Sequence, residues 1–106
     1  MLDGAEHLRL SITGAGPITT VAASGELDIQ TSASFLEALD SVVSTGVSCI
    51  VLDGHGLGFV DSAGLRALVV SRARTAAAGI EFVVQDPSAS LRNVLEMTGL
   101  ADMLAI

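Results

Sequence analysis

Phe59-Val60-Asp61-Ser62-Ala63-Gly64-Leu65 carries the chain from an apolar strand end straight into a helix. Two apolar residues, an Asp–Ser pair, two small residues and then Leu65 make the pattern of a helix start. The orphan N–H groups of such a start, with the positive end of the helix dipole, suit either a side-chain cap or a phosphate. On chemistry alone the Ser62 hydroxyl has both readings, a cap and a phosphorylation site.

Toward the carboxyl end, the helix starting at about Ser62 is expected to turn Leu65, Leu68, Val69, Ala73 and Ala76 inward and Arg66 and Arg74 outward, and to end at Gly79. Ile80 to Gln85 reads as a strand, with Ile80, Phe82, Val83 and Val84 as its apolar part. Asp86-Pro87 reads as a carboxylate cap followed by proline at the first helical position. Leu91, Val94 and Leu95 form the buried stripe of that helix, Met97 fills a core gap, and Thr98-Gly99-Leu100 is a glycine C-cap. Ala101 to Ile106 adds a short helical turn.

Toward the amino end, Asp53 to Gly58 reads as a glycine-rich loop. Cys49-Ile50-Val51-Leu52 lacks alternation, as in a strand deep in a sheet. Before it, Thr31 or Ser32 caps a helix with an apolar face of Phe35, Leu36, Leu39, Val42 and Val43, stopped by Gly46. Leu8, Leu10 and Ile12 alternate with polar residues, Gly14 to Pro17 turns the chain, and Ile18 to Ser24 returns as the second strand of a hairpin. Gly25 to Asp28 closes that unit. The order β-β-α-β-α-β-α, with right-handed parallel crossovers, implies one α/β domain over residues 1–106. Its sheet is mixed and four- to five-stranded, with the helices mainly on one face.

Composition narrows the function. The chain has 106 residues, half of them hydrophobic but only 3% aromatic, so Val, Leu, Ile and Ala must build the core. The net charge is −7, with five arginines and no lysine, which argues against nucleic acid or an anionic membrane as partner. Residues 1–61 hold eight carboxylates against Arg9 alone, and the other four arginines come later. The lone Cys49, among Val47, Ile50 and Val51, reads as a small buried hydrophobe. Met1 to Glu6 lacks the charged and apolar regions of a signal peptide, and no apolar run reaches the ~18 residues of a membrane span. A cytoplasmic protein is expected.

Catalysis has little support. Ser62 as nucleophile, His55 as base and Asp53 or Asp61 as orienter offer the residue types of a hydrolase, but without the glycine-flanked elbow that exposes such a serine. Gly54-His55-Gly56-Leu57-Gly58 lacks the Gly-Lys-Ser/Thr ending that anchors nucleotide phosphates. Asp53, His55 and Asp61 have no diagnostic metal-ligand spacing, and His7 is no better placed. Neither enzyme activity, metal nor cofactor is expected.

Glu26-Leu27-Asp28 after a glycine, the Phe59 to Leu65 stretch, and Leu95-Glu96-Met97-Thr98-Gly99-Leu100 occur in an order and spacing that resembles the bacterial anti-sigma factor antagonists of the STAS domain family. The resemblance runs from about Leu8 to Leu100. It implies a regulatory cycle in which the unphosphorylated antagonist binds an anti-sigma factor that is itself a serine kinase, and so frees the sigma factor. The kinase phosphorylates the serine after the motif's aspartate, here Ser62, and a phosphatase resets it. Asp28 and Asp61 correspond to the family's acidic positions, and Asp28, Asp61, Ser62, Ala63 and Gly64 are expected partner-binding residues, joined by Arg66, whose place on the exposed helix face one turn beyond Ser62 suits contact with the partner or a phosphate. Ala63 stands where a second hydroxyl is frequent, which removes an alternative acceptor. A STAS adaptor in a lipid-transport or stress-sensing complex, never phosphorylated, is the second implied reading.

Overall fold

A computed structural model of the protein describes residues 7–104; the Met1 to Glu6 start and the last two residues of the terminal turn lie outside that range. The first two strands, β1 (Leu8–Ala15) and β2 (Ile18–Leu27), form the expected antiparallel hairpin. A helix, α1 (Ser32–Val43), crosses over to β3 (Cys49–Val60), which pairs parallel with β2. Helix α2 (Ser62–Ala77) leads to β4 (Glu81–Gln85), parallel to β3, and α3 (Ala89–Met97) ends in a short 3₁₀ turn, Ala101–Met103. The mixed sheet has four strands in the order β1-β2-β3-β4.

One face of this sheet carries the core. Val21, Leu52 and Val84 lie in one row across the three parallel strands, and all are buried. Phe35 and Leu39 of α1, Ala67 and Leu68 of α2, and Leu91 and Leu95 of α3 close over that face. The opposite face, with Thr20, Val51 and Val83 in register, is only half-buried. Cys49 is therefore half-buried rather than a core residue, and burial, then the neighbouring Glu81 charge, raises its thiol pKa.

The expected loop at 53–58 is a strand. β3 runs unbroken to Val60 and β2 continues through Gly25-Glu26 to Leu27, with two register shifts where β3 bulges against β2. β4 stops opposite Asp53, so beyond that point β3 has no strand on its other edge. The start of α3 covers it. The Ser88 N–H donates to Gly54 O (3.0 Å), and the hydroxyls of Ser88 and Ser90 donate to Leu57 O and Gly58 O. Gly54 is glycine because a Cβ there would come within 2.4 Å of Leu91 Cδ2 in the core. Glycines that serve close packing thus look, in a bare sequence, like loop residues.

Three smaller expectations change. Helix α2 buries Gly64, Ala67, Leu68, Ser71 and Thr75, while Val69, Ala73 and Ala76 face outward. Ser71 and Thr75 tolerate burial because their hydroxyls donate to carbonyls of their own helix, at Ala67 O (2.8 Å) and Arg72 O (2.9 Å). The cap of α3 is Ser88, which accepts from Leu91 N–H, and Asp86 sits before it in the left-handed region (φ 50°). Met97 is 85% exposed, on the solvent side of α3. The C-terminal end of α3 is as expected: Leu100 N–H bonds Leu95 O (2.7 Å) and Gly99 N–H bonds Glu96 O (3.3 Å), a Schellman closure.

Gly64 makes one of the two tightest glycine junctions among the described residues. A Cβ there would lie 2.0 Å from Leu27 O and 2.7 Å from Leu27 C, so the first turn of α2 rests directly on the β2 backbone. Gly64→Ala is expected to destabilise the fold by more than about 2 kcal/mol, a fall in Tm of roughly 8 °C or more. Gly58→Ala, whose nearest contact is 3.9 Å away, should melt close to the parent. Thermal unfolding of both variants followed by circular dichroism checks this.

Candidate functional site

The ends of β2 and β3 bring two distant stretches, 26–31 and 59–64, side by side. Glu26 pairs with Phe59 and Leu27 with Val60, and Asp61 N–H donates to Leu27 O (3.3 Å). The carboxylate of Asp61 then joins them through its side chain. Its Oδ1 accepts from Gly64 N–H (2.8 Å), capping α2, and its Oδ2 accepts from Ile29 N–H (3.2 Å) in the β2–α1 loop.

That loop is organised by Asp28 and Thr31. Asp28 Oδ1 accepts from Gln30 N–H (2.9 Å) and Thr31 N–H (3.1 Å), an Asx turn into α1. The buried Thr31 hydroxyl donates to Glu26 O and accepts from Asp28 N–H, both at 2.9 Å. Thr31 occupies the expected cap position of α1, but its oxygen ties the loop to β2 and bonds no N–H of the helix's first turn.

The two readings of Ser62 therefore separate. Asp61 is the cap, and the Ser62 side chain, exposed at the first position of α2, makes no hydrogen bond to another described residue. Ala63 is half-buried, Gly64 buried and Arg66 exposed one turn along the helix. Ala63, Arg66, Ala67 and Val70 face Ser32 and Leu36 of α1 across a shallow groove of about 140 Å³. The hydrolase grouping does not assemble: the His55 ring lies 3.5 Å from Asp86, while Asp53 Oδ1 accepts from the His55 N–H. Among the described residues no cluster of three or more His, Cys, Asp or Glu side chains is placed to hold a metal ion, and no helix is long and apolar enough to cross a membrane.

Two residues not anticipated from the sequence flank Ser62. Ile29 is 76% exposed and is positioned by the Asp61 carboxylate, and Phe59 is 50% exposed at the end of β3. The sequence holds a clue: Phe59, one of only three phenylalanines, lies within the central motif, and Ile29, an isoleucine between polar residues, directly follows Glu26-Leu27-Asp28.

The family model of the STAS domain matches residues 9–106. The chain belongs to the STAS domain family. Its fold is shared by solved structures at low identity. One is an anti-sigma factor antagonist from Mycobacterium paratuberculosis, with a TM-score of 0.82 at 22% identity over 97% of this chain and 87% of that one. Another is the Bacillus cell fate determinant SpoIIAA in its phosphorylated form, with a TM-score of 0.74 at 18% identity over 92% and 89%. The fold also occurs in the murine anion transporter Slc26a9, with a TM-score of 0.73 at 17% identity, covering 89% of this chain but 17% of the transporter.

Asp61→Ala removes the α2 cap and the tie to Ile29 together. It should lower stability by about 1–2 kcal/mol in urea unfolding. Hydrogen exchange at the Ile29 and Gly64 amides should accelerate beyond what that global loss accounts for.

Proposed function

We propose that this STAS domain is an anti-sigma factor antagonist whose partner is an anti-sigma factor with serine kinase activity, acting in the cytoplasm, and that phosphorylation of Ser62 switches the interaction off. The observation that carries this reading is the exposed Ser62 hydroxyl at the head of α2, beside an aspartate whose two oxygens are already committed to backbone amides. The occurrence of the fold in a phosphorylated relative and in other anti-sigma factor antagonists supports it. The chain's own role in the cycle is to dock and to accept the phosphate, without catalysis; a phosphatase completes the cycle.

The docking surface of this reading comprises Asp28, Asp61, Ser62, Ala63, Gly64 and Arg66, with Ile29 and Phe59 supplying apolar contact. Asp28, Asp61 and Gly64 act within it by shaping the backbone, as their hydrogen bonds and packing indicate. A phosphate at Ser62 adds about −1.5 to −2 charge. On the dipole of α2 it costs the fold little, but against a docked partner it introduces a dianion that must be desolvated next to Asp61. A penalty of roughly 3 kcal/mol is already about a hundredfold in affinity.

A second reading, an adaptor module that is never phosphorylated, has the anion transporter with the same fold in its favour. Incubation with ATP and a histidine-kinase-like ATPase from the same genome, followed by mass spectrometry, separates the two. A phosphate on Ser62 supports the switch; an unmodified chain that still binds its partner supports the adaptor. Under the switch, Ser62→Ala binds constitutively and Ser62→Glu binds at least tenfold more weakly in calorimetric titration. Equal affinity of both variants for the kinase would remove the switch. Ile29→Ala and Phe59→Ala should each weaken binding by about 1 kcal/mol or more with unchanged Tm.

A further inference from the structure

We propose that Arg66 is the intramolecular counter-ion of a phosphate carried on Ser62, so that the modified chain holds its phosphate along α2 as a defined ion pair. This rests on the reading that Ser62 is modified and adds the regulatory geometry of that state.

The placement is set by helix geometry. Ser62 and Arg66 are four apart on α2, hence neighbours on one face. Side chains in a helix lean toward its N-terminus, so a long side chain at 66 reaches back over 62. The order is also favourable, with the anion N-terminal to the cation.

The second observation is how the arginines are used. Arg72 pairs with Asp102 (3.0 Å), Arg74 with Asp40 (2.8 Å) and Arg92 with Glu96 (3.6 Å). Arg66, like Arg9 on β1, takes part in no ion pair among the described residues, and of these two only Arg66 lies on α2 with Ser62. The carboxylates of the site are engaged elsewhere: Asp61 holds the amides of Gly64 and Ile29, and Asp28 holds those of Gln30 and Thr31. An exposed guanidinium one turn from an exposed hydroxyl is left with its donors facing solvent. A phosphoserine oxygen pair matches its fork, which a lysine cannot reproduce. The pair offsets the like charge of Asp61 and Asp28 and places the phosphate beside the groove between α1 and α2.

The test uses the full chain with phosphoserine installed at position 62 during translation, so that no kinase is needed. Phosphorus NMR follows the second phosphate ionisation in three versions carrying Arg66, Arg66→Gln and Arg66→Lys. The groups facing the phosphate are Arg66, which lowers that pKa, and Asp61 and Asp28, which raise it. Arg66→Gln should raise it by about half a unit or more, and Arg66→Lys should keep part of the shift. Arg66→Gln without phosphate should melt like the parent, whereas with phosphate it should melt lower than the phosphorylated parent. Superimposable phosphorus titrations for the arginine and glutamine versions would overturn the proposal. That result would leave the kinase reading standing, and an inactive kinase would leave this measurement unaffected.

Discussion

Two amide hydrogens, on Ile29 and Gly64, share the carboxylate of Asp61, and the site depends on that shared anion. The residues it joins belong to different crossover units of the sheet. Parallel pairing of the β2 and β3 ends brings them together, and the contact of Gly64 with the Leu27 carbonyl fixes how close α2 can approach. With the acid consumed as a structural fastener, the adjacent serine is relieved of the capping role it could otherwise have filled. The polar groups at this junction thus divide into those that hold the backbone and one that stays available.

The outline of the fold was legible from the chain because its signals are local. The Leu8–Ile12 alternation, the apolar stripe of Phe35, Leu39 and Val42, and the Gly99 closure each depend on neighbours within a turn or a strand. What was not legible depends on distant partners. Residues 53–58 resemble a loop because their glycines answer to Leu91 and to the bulged pairing with β2, and the strand's open edge is satisfied by serines some thirty positions later. The inward face of α2 was misread for a related reason. Ser71 and Thr75 are polar by name but satisfied within their own helix, so they behave as small core residues.

The same division applies to the site. The motif pointed to Ser62 and to the stretch around it, but the work done by Asp28, Asp61 and Thr31 is a matter of which amide each oxygen meets, and spacing alone does not specify that. Ile29 and Phe59 escaped notice because exposure of an apolar side chain is a property of the folded surface. The excess of negative charge is legible for the opposite reason, since it is a property of the whole chain and needs no partner residue to be read.

The serine-covered edge of β3 also bears on strand addition between copies of the chain. A strand with unmatched carbonyls and amides invites another chain to add to it. Here α3 occupies that side of β3, and Leu104 bridges to Val84 on the far side of β4. Among the described residues, β1, at the end of the sheet opposite β4, offers a route for lateral growth into larger sheets. Conditions that loosen α3 would open a second one.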